Sequence, residues 1–232
     1  MANKGFSAPV SFWGDIPGLT PKSSGDGRTS SVAECPNSDG DTTAHDVYGD
    51  VIVPSVEYAV TGTITKAKAL IELGAVFASG DKKITPTVVQ VNTQAGQPPT
   101  VIISGVEVEA GATPLRKYPV CIDLTPRSRA QDVTGAFTAS DKFTQINTTI
   151  AVDAHVQTVK GVPVASDVSH GRIEVQATMT DGDGSGQITA ASAGGFTVTA
   201  TPAESNPDAG YQTKAATATK FLVGTDASAT AE

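Results

Sequence analysis

Aromatic and charged residues are both scarce in this chain of 232 residues. Aromatic residues make up 5% of the sequence and charged residues 17%, whereas Gly and Pro number 23 and 14. A core with few large aromatic side chains must be built from small and β-branched residues, which favours strands and turns over helix bundles. The length suits one large all-β domain, or one domain that carries a long arm.

Cysteines, basic clusters and long apolar runs are few as well. The formal net charge is -8. This charge argues against tight binding of nucleic acid, because phosphate binding needs clustered Lys and Arg. Cys35 and Cys121 lie far apart and in no metal-ligand spacing. A disulfide between them is allowed, but unpaired thiols are favoured. We find no secretory signal and no membrane span, so we expect a protein that is made in a cytoplasm and stays soluble until it meets its partners.

Two runs between Phe143 and Thr180 alternate apolar and polar residues with the period of a β-strand. They predict two long antiparallel strands joined by a wide loop. The residues expected on the buried face are Ile150, Val152, Ala154, Val156, Ile173, Val175, Ala177 and Met179. The residues expected to face a channel or a neighbouring copy are Asp153, His155, Gln157, Glu174 and Gln176. Ordinary solvent exposure explains the carboxylates among them equally well.

The remaining chain divides into three parts. Residues 1–50 are punctuated by Gly and Pro, yet they carry Phe6, Phe12 and Trp13. Because disorder goes with few aromatics, we predict an irregular arm anchored by these rings on a neighbour, or a long loop packed on its own domain. A β-rich core is predicted over residues 51–223 and a flexible tail over residues 224–232.

Further strands are predicted, by alternation and by flanking turns, over residues 51–65, 84–92, 101–109, 118–124, 195–200 and 211–223. Residues 66–73 fit either a short helix or a twisted continuation of the sheet. One helix is predicted over residues 126–135, because Thr125 can cap it, Pro126 suits the first helical position and Gly135 can end it. The predicted fold is all-β, with a β-sandwich or barrel-like core, long hairpins, one short helix and an extended N-terminal arm.

One segment resembles a metal-binding loop in part. Asp181, Asp183 and Ser185 match the front half of an EF-hand calcium loop, but position twelve is Ser192 where a bidentate Glu is needed. A Gly/Asp turn explains the same residues more simply. We therefore expect neither a metal nor a cofactor.

Catalytic motifs are also missing. The three histidines, His45, His155 and His170, lie in unrelated contexts. No nucleophile elbow, phosphate-binding glycine loop or singled-out carboxylate pair accompanies them. We expect these histidines to be solvated or at an interface, and we do not expect an enzyme.

Three features together resemble a structural protein of tailed-bacteriophage virions, and most closely a tail tube protein. They are the strand pair Thr148–Gln157 and Arg172–Thr180, the helix near Pro126–Gly135 and the arm before Val51. The resemblance implies a homo-oligomer of hexameric rings that stack into a channel, with long hairpins forming the inner wall. It also implies a virion protein made in the cytoplasm of a bacterial host, with other virion proteins as partners. DNA would pass without specific binding, because an acidic lumen repels its backbone.

Two other functions fit the sequence. A capsid decoration, head-fibre or tail-terminator protein would share this composition. A carbohydrate-binding β-sandwich module would present clustered surface aromatics, and the single Trp of this chain speaks against it.

Overall fold

The structure, a computed structural model, describes residues 11–36, 42–79, 82–109, 114–138, 142–159, 162–181, 194–200, 204–206 and 211–226. Within these ranges the chain is all-β, as predicted, and contains no helix. The strands are β1 (Leu19–Pro36), β2 (Thr42–Val60), β3 (Ile71–Leu73), β4 (Phe77–Ser79), β5 (Lys82–Gln94), β6 (Gln97–Glu109), β7 (Arg116–Val120), β8 (Phe143–Val159), β9 (Val162–Asp181), β10 (Thr197–Ala200), β11 (Glu204–Asn206), β12 (Tyr211–Phe221) and β13 (Thr225–Asp226).

One large antiparallel sheet dominates the fold. Its ten strands include the path β1-β2-β6-β5-β8-β9-β12-β10, with β4 beside β5 and β11 beside β12. A small second sheet has the order β13-β7-β3. The large sheet does not close on itself in the part of the chain that is described, since β1 and β10 lie at its two ends.

The core lies on one face of the large sheet, where a row of paired residues crosses six strands. The members of this row, all buried, are Tyr58, Val101, Val91, Thr148, Val175 and Ala218. Burial of each Val side chain contributes roughly 1.5–3 kcal/mol. Ile71 and Leu73 of β3 and Tyr118 and Val120 of β7 pack in one cluster with Tyr58, Val91 and Val101 of this row, so the small sheet forms the second layer of a sandwich.

The helix predicted over residues 126–135 is not formed. Side chains bind the backbone of this loop instead: the Asp132 carboxylate accepts hydrogen bonds from the N–H groups of Thr134, Gly135 and Phe137 at 3.0, 3.0 and 2.7 Å. The Gln131 amide bonds both the N–H and the C=O of Thr125. Such side-chain bonds compete with helical ones. Gly135 has the positive φ expected of it, +76°, but it ends no helix.

This loop still covers the sheet, which is the task expected of the helix. Ala136 and Phe137 pack in a second buried cluster with Phe143 and Ile146 of β8 and with small residues of β9 and β12. Residues 66–73 are likewise not helical, and their last three residues form β3.

The irregular arm predicted before residue 51 is regular over much of its length. β1 and β2 pair antiparallel from Leu19↔Val60 to Pro36↔Thr42, and β2 passes residue 50 without a break. Two of the glycines that indicated a loop, Gly25 and Gly27, lie within β1, and a Cβ at Gly25 would touch nothing within 4 Å. In the predicted tail, residues 225–226 form β13 beside β7.

Candidate assembly surface

The face of the large sheet opposite the core is polar. We define the polar face by two rows of paired residues that cross the sheet. One row is Ser23, Glu57, Ile102, Gln90, Thr149, Glu174, Thr219 and Thr197, and the other is Thr20, Ala59, Thr100, Asn92, Asn147, Gln176, Thr217 and Thr199. All of these side chains are exposed or half-buried. Hydroxyl and amide groups therefore dominate the polar face.

Charges on the polar face are few and largely compensated. The Lys22 ammonium contacts the Glu57 carboxylate at 2.7 Å. The Gln176 amide donates to the Glu174 carboxylate at 2.7 Å. Arg172 lies opposite Ala151 at one margin of the face. This surface offers no cluster of cations for a phosphate backbone.

The β8–β9 hairpin extends beyond its neighbours. β5 pairs with β8 only up to Ala151 and β12 pairs with β9 only up to Arg172. Beyond these residues β8 and β9 pair only with each other, as far as Val159↔Val162. We call residues 153–159 and 162–169 the outer hairpin. The wide loop predicted here is therefore mostly strand.

A β-bulge at His170-Gly171 joins the outer hairpin to the sheet. The register passes from Ala151↔Arg172 to Asp153↔Ser169, so β9 has one residue more than β8 at this point. His170 has a φ of +49°, in the left-handed region that non-glycine residues seldom adopt. The extra residue places Ser169 and Asp167 opposite Asp153 and His155 on the polar side of the hairpin, and it leaves Val168 and Ser166 on the buried side.

All five residues proposed for a channel or interface are accessible. Asp153, His155, Gln157 and Gln176 are exposed, and Glu174 is half-buried. The buried face was predicted less well at its end, because Ala154 is exposed and Val156 is half-buried. Both residues lie in the outer hairpin, where β8 no longer pairs with β5.

Two of the three histidines meet across the bulge. Ser169 Oγ lies 2.7 Å from His155 Nε2 and 2.9 Å from His170 Nδ1, and His170 Nδ1 lies 3.5 Å from Asp153 Oδ2. A Ser-His-Asp triad holds serine and aspartate with different nitrogens of one imidazole. Here the same nitrogen of His170 faces both groups, so the triad geometry is absent.

The two ends of the large sheet leave backbone groups without a strand neighbour. Among the described strands, none pairs with β1 on the side away from β2, and none pairs with β10 on the side away from β12. β1 is 18 residues long. A long edge strand with a strand neighbour on one side only is a template for pairing with another chain.

Phe12 and Trp13, two of the three predicted arm anchors, pack on their own chain. Trp13 is buried, and its ring meets Phe77 edge-on with centroids 5.7 Å apart. Phe12 is half-buried against the same cluster. The third anchor, Phe6, lies outside the described residues.

Sequence reasoning missed a group of exposed apolar side chains near the outer hairpin. Phe221 and Val223 are 81% and 87% exposed, and Phe221 lies opposite Arg172. Leu115 is 74% exposed, and its N–H bonds the Asp167 carboxylate. β12 has small residues on both faces, so its sequence pattern did not predict whether Phe221 would lie on the core face or on the polar face.

A cleft of about 470 Å³ lies between β7, β12 and the segment at Gly194. It is lined by Ile150, Ile173, Phe196 and Leu222, with the thiol of Cys121 at its wall. Cys121 is free and exposed, in agreement with the unpaired thiols expected from the sequence. Lys220 at the same wall donates to the Gly194 carbonyl at 2.9 Å.

Of the calcium candidates, Asp181 is the last residue of β9, and Asp183 and Ser185 lie outside the described residues. In the ranges that are described, no three His, Cys, Asp or Glu residues are grouped so as to hold a metal ion. The same ranges contain no helix with the length and hydropathy needed to cross a membrane.

Comparison with known proteins assigns no function to the polar face or to the outer hairpin. No protein-family model matches the chain, and no curated protein matches its sequence.

Proposed function

We propose that this chain is a structural virion subunit that assembles with identical copies into rings, and that the rings stack into a phage tail tube. The observation that carries the proposal is the open sheet, in which β1 and β10 each have a strand neighbour on one side only among the described strands. Contact between the β10 end of one copy and the β1 edge of the next is a heterologous interface, which closes into a ring when the rotation allows. The resemblance seen in the sequence favours six copies.

The polar face supports the assignment of a channel wall. Its rows of hydroxyl and amide groups continue from β1 to β10, so joining copies edge to edge would continue them around a ring. Asp153 and Glu174 add carboxylates, and the Glu57 carboxylate compensates the charge of Lys22 at 2.7 Å. DNA would slide past such a wall, because tight binding requires several phosphate-neutralising cations.

A capsid decoration, head-fibre or tail-terminator protein is the alternative within the same class, and the form of the assembly distinguishes it. A carbohydrate-binding module receives less support, since glycan stacking uses exposed rings. Trp13, Tyr58 and Tyr118 are buried in the core.

Electron microscopy and sedimentation velocity of the purified full chain over a range of concentrations test the proposal. We expect rings or tubes from the wild type. Gly25→Lys places a charge on the β1 edge at a position where a Cβ meets nothing within 4 Å, so the subunit should fold normally. Edge lysines block strand addition. We expect the concentration needed for assembly to rise about tenfold or more, which corresponds to ~1.4 kcal/mol per contact.

Ser128→Lys is the matched control, because it adds the same charge on an exposed loop residue away from the sheet edges. It should assemble like the wild type. Monomers at every concentration that bind immobilised glycans would support the carbohydrate module instead. Closed oligomers that bind empty capsids and never stack would support a decoration protein.

A further inference from the structure

We propose that Asp153, His155, Ser169 and His170 form a proton-operated latch, which tightens the junction between the outer hairpin and the sheet in mildly acidic solution. The latch joins the two strands across the bulge. His155 and Asp153 come from β8, whereas Ser169 and His170 come from β9. The two imidazoles contact one hydroxyl, Ser169 Oγ, at 2.7 and 2.9 Å.

Counting hydrogens shows why this arrangement responds to protons. A serine hydroxyl has one hydrogen and two lone pairs. With neutral rings, the Ser169 hydroxyl can donate to only one imidazole, and the other contact requires a ring N–H. With charged rings, His155 Nε2 and His170 Nδ1 both carry hydrogens, and both can donate to the two lone pairs of Ser169 Oγ. Both contacts then become charge-assisted, which strengthens them.

Protonation also changes the contact between His170 and Asp153. His170 Nδ1 lies 3.5 Å from Asp153 Oδ2, so a charged ring forms an ion pair there and a neutral ring does not. An imidazole in water changes its charge between pH 5 and pH 8. The contact across the bulge is therefore weak in mildly alkaline solution and strong in mildly acidic solution.

The surrounding charges favour tightening over repulsion. Asp167 lies opposite His155 in the register, so two carboxylates, those of Asp153 and Asp167, flank the two rings. Protonation of both rings brings this group from two negative charges to neutrality. Arg172, beyond the bulge, is the next cation of β9.

On the neighbouring small sheet, the charged residues of β7 have acidic neighbours of their own. Lys117 contacts the Glu72 carboxylate at 3.6 Å, and Arg116 lies opposite Asp226. Phe221 of β12, opposite Arg172, adds no charge.

The latch lies at an interruption of the β8–β9 ladder. The bulge interrupts the ladder between Ala151↔Arg172 and Asp153↔Ser169, and beyond it β8 and β9 pair only with each other. His170 is also held at a φ of +49°, a conformation that costs free energy for a residue with a Cβ. The contacts of the His170 ring with Ser169 and Asp153 offset part of this free-energy cost.

Amide hydrogen exchange followed by NMR on the full chain tests the latch, with protection factors corrected for the intrinsic effect of pH. We expect the protection of residues 153–159 to be about two- to fivefold greater at pH 5.5 than at pH 8, as an exposed ion pair allows. His170→Asn should abolish this gain, because Asn tolerates the left-handed conformation and carries no charge. His45→Asn, which removes the histidine outside the latch, should preserve it.

Asp153→Asn provides a second test that leaves the backbone at the bulge unchanged, and it should reduce the gain, because it removes the ion pair with His170 and keeps the contacts with Ser169. A gain of the same size in His170→Asn and Asp153→Asn as in the wild type would overturn the proposal. Exchange at the outer hairpin is a local measurement. Failure of ring assembly would therefore count against the proposed function and leave the latch to be judged on its own result.

Discussion

Gly105 of β6 lies directly against the indole ring of Trp13. A Cβ built at Gly105 would come within 2.6 Å of Trp13 Cη2, and it would also collide with the carbonyl oxygen of Thr85. The ring is buried and meets Phe77 edge-on. The absence of a side chain at Gly105 therefore creates the place in which the only tryptophan of the chain packs.

Gly105→Ala should destabilise the protein for this reason. One of the two obstructing atoms belongs to the backbone and cannot rotate away, so the added methyl group overpacks the core at a cost of about 1–3 kcal/mol. Urea denaturation followed by Trp13 fluorescence measures the change in the free energy of unfolding. Gly25→Ala, at a site open to solvent, is the control and should change this free energy by less than about 0.5 kcal/mol. Equal effects of the two substitutions would contradict the packing described for Gly105.

Thr148 and Thr93 should respond to the same substitution in opposite directions. Thr148 is buried between Val91 and Val175, and its hydroxyl has no hydrogen-bond partner among the described residues. Replacement by Val keeps the shape and removes an unsatisfied polar group, so Thr148→Val should stabilise the fold by about 1 kcal/mol.

The Thr93 hydroxyl, in contrast, lies 3.1 Å from the carbonyl oxygens of both Gln131 and Ile146, which can share its one hydrogen, and it accepts from the Gln131 N–H at 2.9 Å. Thr93→Val should therefore destabilise the fold by about 1–3 kcal/mol, because it leaves buried backbone groups unpaired. Thermal and chemical unfolding of both variants check the pair. If both substitutions changed the free energy of unfolding in the same direction, the hydrogen-bond partners of the two hydroxyls would not explain their effects.

Tyr58 should make the fold sensitive to alkaline solution. Burial raises the pKa of its phenol above the ordinary 10.0, and the hydrogen bond with Ser11 offsets part of the rise. Since the folded-state pKa is the higher one, this contribution to stability is complete below pH 10 and is lost as pH rises through the folded pKa. Tyr58→Phe should therefore show a shallower loss of unfolding free energy between pH 9 and pH 11.

Ser11→Ala is the matched control for this measurement. It removes the partner at 2.8 Å and leaves the phenol buried, so the alkaline loss should persist or become steeper. A slope in Tyr58→Phe equal to that of the wild type would assign the alkaline sensitivity to other groups.

Alternation predicted the parts of the fold in which one face of a strand is dry. β5, β6 and β8 lie close to their predicted ranges, since most of their apolar residues are on the core face, and β12 also lies close to its range. The predicted turn at residues 94–99 contains the hairpin turn at Ala95-Gly96, where Gly96 has a φ of +82°.

Alternation could not predict features that depend on distant residues. The side chains of Asp132 and Gln131 bind the loop that capping rules assigned to a helix, and Thr93 on β5 fixes that loop from outside. The Gly and Pro residues of the N-terminal segment indicated a loop, so the sequence did not predict β1. An edge strand tolerates these residues better than a central strand does. The meeting of His155 with His170 depends on a bulge that no local pattern marks.

That bulge has a consequence for the length of the chain. Side chains alternate along a strand, so one residue more or fewer turns every later side chain to the other face. At His170 this change of face is already present, because the buried residues of β9 are Ser166 and Val168 before the bulge and Val175 and Ala177 after it. Removal of His170 would therefore leave Gly171 alone opposite Val152 and keep Ser169 paired with Asp153, so the faces of the outer hairpin would be preserved, whereas a deletion at another position of β9 beyond the bulge would exchange them.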